Sequence, residues 1–184
     1  LDSETEKRYD RLKKELGDYE VVITGLNKNE DKFLVRTYSD RSLGSYYFYD
    51  AASDKLSKIV EVSPWLNENE LAVQKPVTYK SRDGLTIHGY LTLPVGVEPK
   101  NLPVVMNIHG GPWARDNWGF NPEVQFLANR GFAVLQVNYR GSTGYGKKFW
   151  EASFREWGKK MQDDVSDGVK WLISEGIANP KKVG

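Results

Sequence analysis

Residues Leu102 to Gly146 constrain this chain more than any other stretch. Two apolar runs, Val104 to Ile108 and Phe132 to Val137, flank one capped helical segment, and each run ends in a glycine-rich loop. Continuous apolar runs of this length suit strands buried on both faces. Between them, Asn121-Pro122-Glu123 supplies an N-cap, a proline at the first helical position and an acid in the first turn. Val124, Leu127 and Ala128 form the inward stripe, and Gly131 is the stop. Strand, helix, strand at this spacing needs a long crossover, so the strands are expected to be parallel and the connection right-handed. The expected fold class is therefore α/β.

The chain around this unit reads differently on its two sides. Residues 1–18 are expected to form a surface helix, with Tyr9, Leu12 and Leu16 as its sparse apolar stripe and Gly17 as its end. Residues 19–62 switch to short strand patterns, Tyr19 to Thr24, Lys32 to Tyr38, Ser45 to Asp50 and Leu56 to Val62, separated by turn-forming Asn, Asp, Ser and Gly. Four such strands predict one antiparallel meander, marginal alone and expected either to be a propeller blade or to pack on the next domain. Residues 63–75 read as a linker. Pro76 to Lys80 and Leu85 to Leu93 then form a hairpin pattern around Arg82-Asp83-Gly84. After the second glycine loop, a short helix is expected within Lys147 to Phe154 and a longer one from Asp163 to Glu175. Lys182-Val183-Gly184 looks like the start of one more strand.

Charge excludes some partners. Twenty-six Lys and Arg against twenty-five Asp and Glu give a net charge of +1 without blocks of one sign, which disfavours nucleic acid or an anionic membrane. No run is long and apolar enough for a membrane span. The absence of cysteine excludes disulfides and thiolate metal sites and fits the cytosol, slightly favoured here, as well as an export compartment. Neither a metal nor any other cofactor is expected.

The chemistry concentrates in the two glycine loops. His109-Gly110-Gly111-Pro112 follows a buried strand, at the sheet edge where open α/β folds bind ligands. Glycines there let backbone N–H groups approach a substrate, and a histidine-and-glycine loop after the third strand supplies the oxyanion donors of α/β-hydrolases. His109 precedes any nucleophile of the kind such sites use, so it reads as a positioning residue rather than the base. Arg140-Gly141-Ser142-Thr143-Gly144-Tyr145-Gly146 lacks both the P-loop ending and dinucleotide glycine spacing. Arg140 is expected either to anchor this loop on Asp163, Asp164 or Asp167, or to be solvated. Ser142 fails the Gly-x-Ser-x-Gly pattern of a nucleophile. Trp113 follows the oxyanion loop and is a candidate pocket wall, Arg115-Asp116 reads as a loop ion pair, and His88 reads as a satisfied structural histidine.

Several of these motifs occur in a specific order. Asp83-Gly84, Gly89-Tyr90-Leu91, Leu93-Pro94, Asn107-Ile108-His109-Gly110-Gly111-Pro112, Phe126-Leu127-Ala128, Arg130-Gly131 and Asn138 to Gly146 together resemble the prolyl oligopeptidase family of serine peptidases. The His-Gly-Gly-Pro and Arg-Gly-Ser-Thr-Gly-Tyr-Gly forms look most like its acylaminoacyl-peptidase and dipeptidyl-peptidase-like branch. The resemblance covers residues 76–184, and residues 19–62 look similar to the last propeller blade that precedes the hydrolase domain.

The resemblance implies a Ser-His-Asp peptidase acting on short peptides, with a propeller restricting access. It gives Gly111 the backbone oxyanion donor, with His109 standing where prolyl oligopeptidase itself has a tyrosine. Trp113, Arg140 and Tyr145 become supports of the pocket and loop. In the family the nucleophile elbow follows the equivalent of Pro180 to Gly184, so none of the triad Ser, Asp and His is in this chain. The expectation is a fragment, the N-terminal half of an α/β-hydrolase sheet preceded by one blade, inactive alone. A carboxylesterase-type acyl hydrolase and a non-catalytic binding or assembly module are the alternatives. The implied strand order also leaves Val104 to Ile108 with a bare apolar edge, to be covered by the remaining hydrolase half, a swapped copy or a homo-oligomer.

Overall fold

A computed structural model describes residues 3–184; the first two positions of the expected surface helix, Leu1 and Asp2, lie outside the described residues. The chain divides into two compact units at Asn69/Glu70.

The first unit is a helix and a meander. Helix α1, Ser3–Leu16, precedes strands β1 (Glu20–Leu26), β2 (Lys32–Tyr38), β3 (Ser45–Asp50) and β4 (Lys55–Glu61), which pair antiparallel in sequence order. Alternation sends Val21, Phe33, Val35 and Tyr49 to one face, where they enclose Leu12 of α1. Register places Leu34 beside Phe48, and Tyr46 between Arg36 and Val60, on the other face. Val22, Leu34, Phe48 and Val60 stay exposed there.

The second unit has a five-stranded sheet in the order β5-β6-β8-β7-β9. Its strands are β5 (Gln74–Lys80), β6 (Thr86–Thr92), β7 (Leu102–Asn107), β8 (Ala133–Asn138) and β9 (Ala178–Val183). β5, β6 and β8 pair antiparallel, whereas β7 runs parallel to both β8 and β9. Every residue of β8 is buried, its apolar positions together with the polar Gln136 and Asn138. Helix α2, Pro122–Asn129, links β7 to β8; Asn121 Oδ1 caps it by accepting from the Glu123 and Val124 N–H groups. Helices α3 (Lys147–Glu151) and α4 (Lys160–Ser174) follow the second loop. α4 comes close to the sheet at Gly168, where a Cβ would stand 2.7 Å from the Tyr79 hydroxyl. That hydroxyl donates to the Asp164 carbonyl at 2.7 Å, tying the helix backbone to β5.

The pairing of β7 corrects one expectation. β7 has no bare edge, because β9 of the same chain lies beside it. The strand expected to start at Lys182 starts earlier, at Ala178, so Asn179-Pro180 lies within β9. The strand tolerates Pro180 because pairing is made only at its two ends, Leu102 with Ala178 and Val104 with Val183, with an irregularity between. The missing proline N–H therefore costs no ladder bond. The outer strands of this sheet are β5 and β9.

Candidate active site

Adjacent parallel strands end on one edge of a sheet, so the loops that leave β7 and β8 meet there. They are laced together by backbone and amide contacts. The Thr143 N–H donates to the Ala114 carbonyl at 3.0 Å, and Asn138 uses both ends of its amide on the Asp116 backbone, at 2.8 and 3.0 Å.

His109 is held within this lacing. Its ring stacks on Tyr139 at 4.6 Å, and the Tyr139 hydroxyl donates to the His109 carbonyl at 3.0 Å. Its Nε2 lies 2.9 Å from Ser142 Oγ and its Nδ1 lies 2.8 Å from the Gly110 carbonyl. A serine beside an imidazole suggests a nucleophile and base, but two facts argue against it. Ser142 is fully buried, and its hydroxyl donates to the Tyr139 carbonyl at 2.7 Å, so its proton is committed to the backbone. No carboxylate contacts Nδ1 among the described residues. The pair is a brace between the two loops.

Gly111 is the exposed apex of the first loop. Its φ of 141° and the 2.7 Å separation between a would-be Cβ and the Trp113 nitrogen make glycine obligatory there. Among the described residues neither the Gly110 nor the Gly111 N–H has an acceptor. Gly111 borders a cleft of about 310 Å³ whose other walls include Ile108, Pro112, Tyr139, Trp157 and Met161. Free backbone donors beside an apolar wall can stabilise a developing oxyanion.

The supporting residues fall into place around this loop. Arg140 is buried between two carboxylates: its Nη2 is 2.7 Å from Asp164 Oδ1 and its Nη1 is 2.8 Å from Asp83 Oδ2. Asp164 is one of the three acids considered from sequence, whereas Asp163 and Asp167 pair with Arg82 instead. Asp83 escapes sequence reasoning, because Arg82-Asp83-Gly84 carries an obvious turn signal that hides any longer-range role. The paired guanidinium holds the Asp83 carboxyl below the usual carboxylate range. Trp113 is exposed, 5.9 Å from Trp150, and lines a separate cleft of about 700 Å³ with Phe154 and Trp157. The Tyr145 hydroxyl accepts from Asn138 Nδ2 at 2.9 Å and Arg115 Nη2 at 3.1 Å.

Two expectations fail here. Arg115 and Asp116 form no ion pair; Arg115 Nε donates to the Asp116 backbone carbonyl at 3.2 Å, and burial pushes the Asp116 carboxyl up. His88 is not a satisfied histidine either, because neither ring nitrogen has a hydrogen-bond partner among the described residues; its contacts are rings, Tyr145 at 4.5 Å and Phe149 at 6.3 Å.

The geometry has parallels among known proteins. The family model described as the prolyl oligopeptidase family matches residues 118–184. A dipeptidyl aminopeptidase BIII from Pseudoxanthomonas mexicana is 44% identical over 175 residues, covering 91% of this chain and 25% of that protein. A dipeptidyl peptidase family member 6 from Caenorhabditis elegans is 34% identical, covering 88% of this chain and 25% of its own length. Among solved structures, a Mycobacterium tuberculosis puromycin-hydrolyzing peptidase superposes with a TM-score of 0.71 at 24% identity, covering 83% of this chain and 25% of that one. A Pyrococcus horikoshii acylaminoacyl peptidase superposes with a TM-score of 0.70 at 22% identity, covering 91% and 27%. These two show a shared fold. The chain spans about a quarter of the length of these relatives.

Proposed function

The chain belongs to the prolyl oligopeptidase family, and from that premise we propose that it forms the oxyanion side of a serine peptidase active site. Gly111 presents a backbone donor to the carbonyl oxygen of a short peptide as the acyl-enzyme forms. The attacking serine, its base and its orienting acid lie outside these 184 residues, so the chain alone is inactive. The meander β1 to β4 is one blade of a propeller standing before the hydrolase domain. The observation that carries this reading is the unpaired Gly111 N–H, held at the end of β7 in a conformation only glycine adopts readily.

The physical role follows from where charge develops. Attack on a peptide carbonyl turns a neutral oxygen into an anion, and a donor already aimed at that position stabilises the transition state more than the ground state. The lacing of both loops, the His109 brace and the buried Arg140 hold the donor so that little reorganisation is needed when the charge appears. Loss of one such donor costs about 10²–10³ in turnover.

The test uses a fluorophosphonate probe, which labels activated serines. The isolated chain should take up no label and hydrolyse no dipeptidyl chromogenic substrate; covalent label on any of its serines, Ser142 foremost, overturns the reading. In a longer protein that carries this segment, Gly111→Ala should lower kcat by about 10²–10³ with KM changed little.

A further inference from the structure

The second unit contains a cleft that oxyanion chemistry does not use. It has a volume of about 330 Å³ and is walled by Pro76, Thr78, His88, Tyr90, Arg115 and Tyr145. β6 alternation accounts for its floor: Ile87 and Leu91 go to the core, and His88 and Tyr90 go to the opposite face.

The groups around this cleft keep donor capacity that no carboxylate of the described residues satisfies. Arg115 sits 4.7 Å from the Tyr145 ring centroid, and its Nε and Nη2 are fixed by a backbone carbonyl and the Tyr145 hydroxyl. It makes no ion pair among the described residues, unlike Arg82 and Arg140. The Tyr145 oxygen accepts two hydrogen bonds, and its own proton meets no acceptor among the described residues. The His88 imidazole lies flat against Tyr145 with both nitrogens unpartnered, and the Thr78 hydroxyl is also free. No Asp or Glu lines the cleft. The nearest acid in sequence, Asp116, offers Arg115 its backbone carbonyl and makes no ion pair with it; its Oδ2 is buried without a hydrogen-bond partner among the described residues.

We propose that this cleft is a carboxylate-binding site, with Arg115 as its cation and Tyr145 and His88 as flanking donors. The single positive charge selects the anion: one guanidinium balances a carboxylate, whereas a phosphate monoester brings about −1.5 to −2 at neutral pH. Burial, and then Arg115, hold the His88 imidazole below its ordinary range, so it adds a donor and not a second charge. Of the other groups facing it, Thr78 and Asn138 have no titratable side chain, and burial pushes the Tyr145 hydroxyl up.

The chain has two histidines, so two imidazole Hε1 signals report separately on this cleft, through His88, and on the first glycine loop, through His109, in proton NMR; His88→Gln assigns them. Sodium acetate and N-acetyl-glycyl-glycine are titrated against N-acetyl-glycyl-glycinamide and against sodium chloride at equal ionic strength. Acetate and the peptide acid should move the His88 signal saturably and leave His109 in place, while the amide and chloride leave both unmoved. Arg115→Gln should weaken this binding about tenfold or more, and Arg115→Lys less. An equal response to acid and amide, a non-saturable drift like that of chloride, an unchanged affinity in Arg115→Gln, or inorganic phosphate binding more tightly than acetate overturns the proposal. The comparison of acid with amide uses the unmodified chain, so it decides the question even if Arg115→Gln fails to fold.

Discussion

Arg140 is a cation almost wholly removed from water. Its guanidinium and Asp164 are both buried, with Asp164 Oδ2 also accepting the Arg140 backbone N–H at 3.0 Å. Replacing Arg140 by methionine leaves the Asp164 carboxylate buried without its cation, a defect worth about 3–5 kcal/mol. Arg140→Met should therefore lower the urea midpoint at pH 7 with an unchanged slope. The pH dependence has a definite sign. Asp83 is depressed in the folded protein chiefly by its hydrogen bond from Arg140, so its contribution is complete above the unfolded carboxylate value of about 3.9 and is lost as pH falls through the folded value. The gap between wild type and Arg140→Met should be full at pH 7 and narrow below about pH 4. A gap that widens on acidification would show that the carboxylates are not the partners that matter.

At the scale of elements, β9 decides how the second sheet ends. The Leu102 N–H donates to the Ile177 carbonyl at 2.7 Å, the Met106 N–H to the Gly184 carbonyl at 2.8 Å and the Gly184 N–H to the Val104 carbonyl at 3.0 Å. Hydrogen exchange should protect Leu102, Met106 and Gly184, independently of protein concentration; exchange of Met106 and Gly184 at coil rates would return β7 to an edge. This strand also marks where the sequence stops being legible. The βαβ unit is readable because β8 is mostly apolar and α2 carries its cap at Asn121, its proline at Pro122 and its stop at Gly131, so local signals coincide with the tertiary outcome. In β9 only the end from Lys182 reads as strand; Asn179 and Pro180 do not, and because the strand pairs only at its ends, the strand character of that first half comes from β7. The site divides the same way. Gly111 is legible because glycine is a backbone requirement written locally. The Asp83 to Arg140 pair joins positions 57 residues apart, and no spacing rule reaches that far.

For the whole molecule, the two units differ in what they can withstand. Each has its own apolar core, with Leu12 fully buried in one and Leu135 in the other. Native stability of roughly 0.05–0.15 kcal/mol per residue leaves a unit as small as the first only several kcal/mol. Truncating a fully buried leucine costs about 2–5 kcal/mol, because transfer and cavity terms add. The same change is therefore graver for the meander than for the larger sheet, whose burial per residue is greater. Leu12→Ala should leave Thr37 and Tyr49 amides with little exchange protection at 25 °C, while Val134 and Val137 keep theirs. Leu135→Ala should lower the urea midpoint of Val134 and Val137 and leave that of Thr37 unchanged. The fold then fails core by core. A loss in Leu12→Ala that appears equally at Thr37 and Val137 would mean that the chain melts as one cooperative block, and that the meander draws its stability from more than the core around Leu12.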